Sequence, residues 1–124
     1  MSMKHKTSLN ECVEFIAGDD TILREILHPD KHAVELRYSL AHFRVLPGKK
    51  TKKHSLKTSE IYYIISGKGR MHIGEKEFEV SAHDTVYIPP HSIQFIENLS
   101  KTEEIVALCI VDPAWRKDNE IVHE

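Results

Sequence analysis

The chain has 124 residues, with 17 Lys+Arg against 19 Asp+Glu for a formal net charge of -2, and is 40% hydrophobic and 29% charged. That length holds one domain of ordinary size, and the composition is that of a globular chain rather than a disordered or collagenous one. The near-neutral balance gives no basic face for nucleic acid or an anionic membrane, and no stretch reaches the roughly 20 apolar residues of a membrane span.

In chain order, Met1 to Lys6 carries charge with no apolar segment behind it and does not read as a signal peptide. Cys12 and Cys109 lie far apart in apolar surroundings and form no CxxC spacing, so they read as reduced core residues of a cytoplasmic protein. Asp19 to His28 fits either a strand or a short helix, because Asp19-Asp20-Thr21 resembles a cap and Ile22, Leu23, Ile26 and Leu27 fit one helical face. After it the apolar residues fall in short runs rich in Val, Ile, Tyr and Phe: Val34 to Leu46, Ile61 to Ser66, Arg70 to Ile73, Lys76 to Val80, Thr85 to Ile88, Ile93 to Glu97 and Glu104 to Val111. Pro47-Gly48, Gly67-Lys68-Gly69 and Pro89-Pro90-His91 separate them, and Ile73-Gly74-Glu75-Lys76 predicts a tight hairpin. Asp112-Pro113-Ala114-Trp115-Arg116 predicts a cap and one short helical turn. Seven or more short strands at this spacing predict an all-β sandwich or barrel.

The nine histidines, as many as Trp, Tyr and Phe combined, bring metal chemistry into question. Side chains two apart on a strand share a face, so His54 pairs with Leu56, and Glu60 with Tyr62 and Ile64. Tyr63 then points the other way. His42, flanked in parity by Leu40 and Arg44, faces either a cavity or the outside, and His72 is expected on the outer face. His5, His28, His32, His83 and His123 read as surface residues, and His91 falls at a turn that calls for an unusual φ or at the mouth of a pocket. The cluster Lys49, Lys50, Lys52, Lys53 reads as a solvated loop or as a pocket rim for anionic ligands. Trp115 with Arg116 reads as a strand-end lid or an interface anchor.

The segment from Gly48 through His54 and Glu60 to Gly67 resembles the first cupin motif, with Leu56 where the second His of His-x-His stands. The stretch Asp84 to Pro89 with Asn98 resembles the second motif, with His83 and His91 in place of glycines and Gln94 in place of the last metal-binding His. The resemblance spans about Ser39 to Val111. It implies an all-β double-stranded β-helix, the jelly-roll barrel of cupins, over residues 36–112. Residues 1–35 would form an N-terminal arm with the first strand or strands, open to exchange in a homodimer, and 113–124 a short tail.

In the resembled family the cavity face holds a metal on three His and one Glu. Here the set reduces to His54, Glu60 and Gln94, a weak one for Fe, Mn, Ni or Zn. Two arrangements stay open: a divalent ion held by these three with water or substrate, or a metal-free pocket in which they bond one another. The pocket is expected to include His54, Glu60, Tyr62, Gln94 and His42. The expected function is binding of a small-molecule ligand in a polar cavity, with metal absent or weakly held. The alternative is a metal-dependent enzyme, an isomerase or epimerase of sugars or sugar phosphates or a dioxygenase, with Glu60 or His54 as general base or ligand.

Overall fold

A computed structural model describes residues 5–123, so the reading of Met1 to Lys4 falls outside the described residues. Eleven strands are described: β1 (Glu14–Ile16), β2 (Ile22–Leu27), β3 (Ser39–Val45), β4 (His54–Leu56), β5 (Ser59–Ser66), β6 (Lys68–Ile73), β7 (Lys76–Ser81), β8 (Thr85–Ile88), β9 (Gln94–Glu97), β10 (Ile105–Asp112) and β11 (Glu120–Val122). They form a six-stranded sheet in the order β1-β2-β3-β10-β5-β8 and a five-stranded sheet in the order β11-β4-β9-β6-β7. The fold is the all-β jelly roll, with no α-helix among the described residues.

Strand periodicity builds the core. Along β10 every second residue, Ile105, Ala107, Cys109 and Val111, is buried, and along β5 the buried set is Glu60, Tyr62 and Ile64. These inner faces meet Phe43, Val45, Met71, Val80, Val86, Ile88 and Ile96 in one cluster. The Phe43 and Tyr62 rings pack at 4.8 Å and 59°.

The turn residues have specific duties. Gly67 has φ 90°, and a Cβ there would lie 2.4 Å from the Glu104 carbonyl oxygen, so only glycine fits between β5 and β6. His83 (φ 76°) and His91 (φ 69°) keep the left-handed backbone of the glycines they stand in for. Asn98 explains its own place in the second motif: its buried amide donates to the carbonyls of Val45 (3.0 Å) and Glu103 (2.8 Å) and accepts from Ser100 N (3.0 Å).

Several elements settle or depart from expectation. The stretch at Asp19 to His28 resolves as strand: Asp19 Oδ1 accepts from Thr21 N (3.0 Å) and Thr21 Oγ1 (2.7 Å), capping a turn rather than a helix. Within the single chain, β1 pairs with β2 and β2 with β3. After a cis Asp112–Pro113 bond no helical turn forms at Ala114 to Arg116. The chain instead makes a 3-10 turn at Lys117–Asn119 and returns as β11 against β4. His28, expected at the surface, is 2% exposed, with Nε2 2.6 Å from the Trp115 carbonyl and Nδ1 accepting from Asp30 N.

Candidate functional site

Four of the expected pocket residues converge inside the barrel. β4 contributes His54, β5 contributes Glu60 and Tyr62, and β9, paired with β4 at His54 and Gln94, contributes Gln94. His54, Glu60, Tyr62 and Gln94 are all 6% exposed or less. Tyr62, Gln94 and Glu60 form a directed chain of hydrogen bonds. The Tyr62 hydroxyl donates to Gln94 Oε1 (3.0 Å), and Gln94 Nε2 donates to Glu60 Oε1 (2.6 Å). The Cys109 thiol donates to Glu60 Oε2 (2.8 Å), which leaves each Glu60 oxygen with a protein donor.

Burial governs the ionisation here. It pushes the Glu60 carboxyl up, partly offset by the Cys109 thiol, His54 and the Gln94 amide. It also pushes the Tyr62 phenol and the Cys109 thiol well up, with the Glu60 charge acting in the same direction. Cys109 is therefore a hydrogen-bond donor rather than a nucleophile.

His42 does not join them. Ser39, Phe43 and Val45 are the buried positions of β3, so the opposite parity carries His42 and Arg44 to the outer face. There Arg44 bonds Glu14 and Glu104, and burial together with the Arg24 and Arg44 charges pushes His42 down. His72 lies on the outer face as expected, stacked on Phe95 at 4.0 Å with Nε2 2.6 Å from Glu97. The lysine loop also points outward: all four lysines are exposed, and Lys53 lies over the Phe95 ring.

A cavity of about 100 Å³ adjoins the inner chain. His54, Glu60 and Cys109 line it from β4, β5 and β10, while Asp19, Trp115 and Glu120 reach it from the chain's two ends. Leu23, Leu56 and Val111 supply apolar wall, and at its edge Lys31 Nζ pairs with Glu25 Oε1 at 2.6 Å. His54 Nδ1 lies 2.9 Å from the Lys52 carbonyl, and Nε2 lies 3.6 Å from Asp19 Oδ2. Burial pushes the half-buried Glu120 carboxyl up, His54 holds it down, Asp19 pushes it up and the Trp115 side chain holds it down.

Asp19, Cys109, Trp115 and Glu120 are thus site residues that the sequence reading did not place in the pocket. Cys109 was within reach of strand parity, since it alternates with Ala107 and Val111 and sits opposite Tyr62. Asp19 and Glu120 arrive through the turn before β2 and the pairing of Glu120 with Leu56, long-range contacts that no local pattern reports.

The chain belongs to the cupin superfamily: the Cupin domain family matches residues 41–111. It is 38% identical over 118 residues to the uncharacterized protein MJ1618 of Methanocaldococcus jannaschii, covering 94% of each chain. Among solved structures, the polyketide cyclase RemF from Streptomyces resistomycificus superposes with a TM-score of 0.75 at 17% identity, over 89% of this chain and 80% of that one. A variant of oxalate decarboxylase from B. subtilis gives a TM-score of 0.83 at 19% identity, over 99% of this chain and 33% of that one. At these identities the structural likeness shows the fold alone.

The residues at the family's metal position do not fit a divalent ion. Leu56 offers no donor atom, Gln94 spends its amide on Tyr62 and Glu60, and both Glu60 oxygens already accept from protein groups. Among the described residues no group of three His, Cys, Asp or Glu side chains is arranged to hold a metal.

Proposed function

We propose that this cupin binds a small molecule directly in its barrel cavity, without a metal. One observation carries the reading. The inner residues satisfy one another through the chain Tyr62, Gln94, Glu60 and Cys109, while a cavity remains beside them with the 2%-exposed His54 at its wall. Buried polar groups that are already paired need no ion to complete them. A concave site with apolar walls and a few fixed polar groups is the usual form of a ligand pocket. The cavity is smaller than the ~150 Å³ that encloses benzene, which limits the enclosed part of the ligand to a handful of heavy atoms.

Ligand-observed NMR on EDTA-treated protein, with small neutral, cationic and anionic fragments, tests this. At least one class is expected to bind, and Ala41→Leu, which places side-chain volume in the cavity wall, is expected to abolish the signal. Binding that appears only when a divalent metal is added, or no binding by any class, would contradict it.

A further inference from the structure

We infer that the ligand of this cavity is a small primary ammonium ion, held as a hydrogen-bond donor between His54 and Asp19 with Glu120 beside it. This rests on the small-molecule reading of the same cavity and adds the ligand's charge class.

The tautomer of His54 comes first. Nδ1 faces the Lys52 carbonyl at 2.9 Å, and a carbonyl only accepts, so Nδ1 carries the hydrogen. With a single proton on the ring, the Nε2 lone pair turns toward the cavity. Nε2 makes no hydrogen bond with the described residues, although His54 is 98% removed from solvent. The polar atom it faces, Asp19 Oδ2 at 3.6 Å, is itself an acceptor. Thr21 pins the other Asp19 oxygen through two hydrogen bonds, which fixes the free oxygen in place. Two acceptors side by side call for a donor with more than one N–H, and an ammonium group has three. An alcohol, with a single O–H, would satisfy one of them.

Charge points the same way. Lys31 is paired with Glu25, and both Glu60 oxygens receive protein donors. Asp19 faces His54 and Glu120 is held by the Trp115 side chain, and neither carboxylate forms an ion pair with a lysine or arginine among the described residues. Trp115 lines the same cavity. Leu23, Leu56 and Val111 would pack a short alkyl chain. An anion would meet two carboxylates. A second proton on His54 would close the gap to Asp19 without any ligand, and the titration below separates the two arrangements.

The experiment is calorimetric titration of EDTA-treated full-length protein near neutral pH and at low salt with n-butylammonium chloride, n-butanol and sodium butyrate. Butylammonium is expected to bind at least about tenfold tighter than butanol, and butyrate to give no binding heat. Asp19→Asn, which keeps the acceptor for Thr21, and Glu120→Gln are each expected to weaken butylammonium by about tenfold and butanol by much less. Butanol binding as tightly as butylammonium, or butyrate tighter than either, overturns the charge class and leaves the small-molecule reading standing. Unchanged butylammonium affinity in both variants overturns the assignment to Asp19 and Glu120. No heat from any of the three probes overturns both readings.

Discussion

The inner and outer ends of the barrel's polar interior differ in how their polar groups are satisfied. At the inner end Tyr62, Gln94, Glu60 and Cys109 exhaust one another's donors and acceptors, all on strands β5, β9 and β10 in the middle of the barrel. At the outer end Asp19 and His54 bring acceptors together without a donor between them, and Glu120, held by the Trp115 side chain, lies beside them, on the turn before β2 and on strands β4 and β11. The same residue types therefore act as internal bracing in one place and as the proposed binding surface in the other. A histidine or glutamate at a family position acquires its role from what its neighbours already supply.

The largest expected effect breaks the inner end. Gln94→Leu keeps the volume but strands the Tyr62 hydroxyl and one Glu60 oxygen in the core, and unpaired buried polar groups cost about 1–3 kcal/mol each. A loss of about 3 kcal/mol is expected in denaturant unfolding, and a loss below about 1 kcal/mol would mean that the chain does not brace the barrel.

Next is the pH dependence of Glu60. Its folded carboxyl lies above the ordinary value of 4.5, so the native state holds the proton more tightly than the unfolded chain. The stability this proton contributes is complete below pH 4.5 and is lost as pH rises through the folded value. Glu60→Gln is fixed in the neutral form and lacks that loss, so its stability relative to wild type should climb across the window and then level off. Exposed Glu14 and Asp30, held low by their arginines, slope the other way in both proteins and cancel in the difference. A pH-independent difference between the two proteins would contradict the account.

The smallest effect lies at the outer end. Glu120→Gln should shift stability by no more than about 0.5 kcal/mol, because the residue is half-buried and the amide keeps an oxygen for the Trp115 side chain. A large destabilisation in thermal unfolding would make Glu120 part of the frame rather than of a binding surface.

How much of this the sequence disclosed follows the same division. Strand parity and turn residues are local, so the jelly roll, the Gly67 turn and the gathering of His54, Glu60, Tyr62 and Gln94 could be read in advance. His42 was ambiguous because its strand has apolar residues on both parities, and only the burial of Phe43 and Val45 decides that His42 faces out. His28 looked like a surface residue and is buried because the chain returns at Trp115 to bond it, a contact across 87 positions. Asp19 and Glu120 escaped for the same reason, since their place depends on a register that only the closed barrel sets.

Metal content tests the central claim most directly. Protein purified without an affinity tag, then equilibrated with Fe, Mn, Ni or Zn and desalted, should carry well under one ion per chain by elemental analysis. Near-stoichiometric metal that disappears in Glu60→Gln would show that the inner end opens to coordinate an ion, and would contradict the metal-free cavity proposed here.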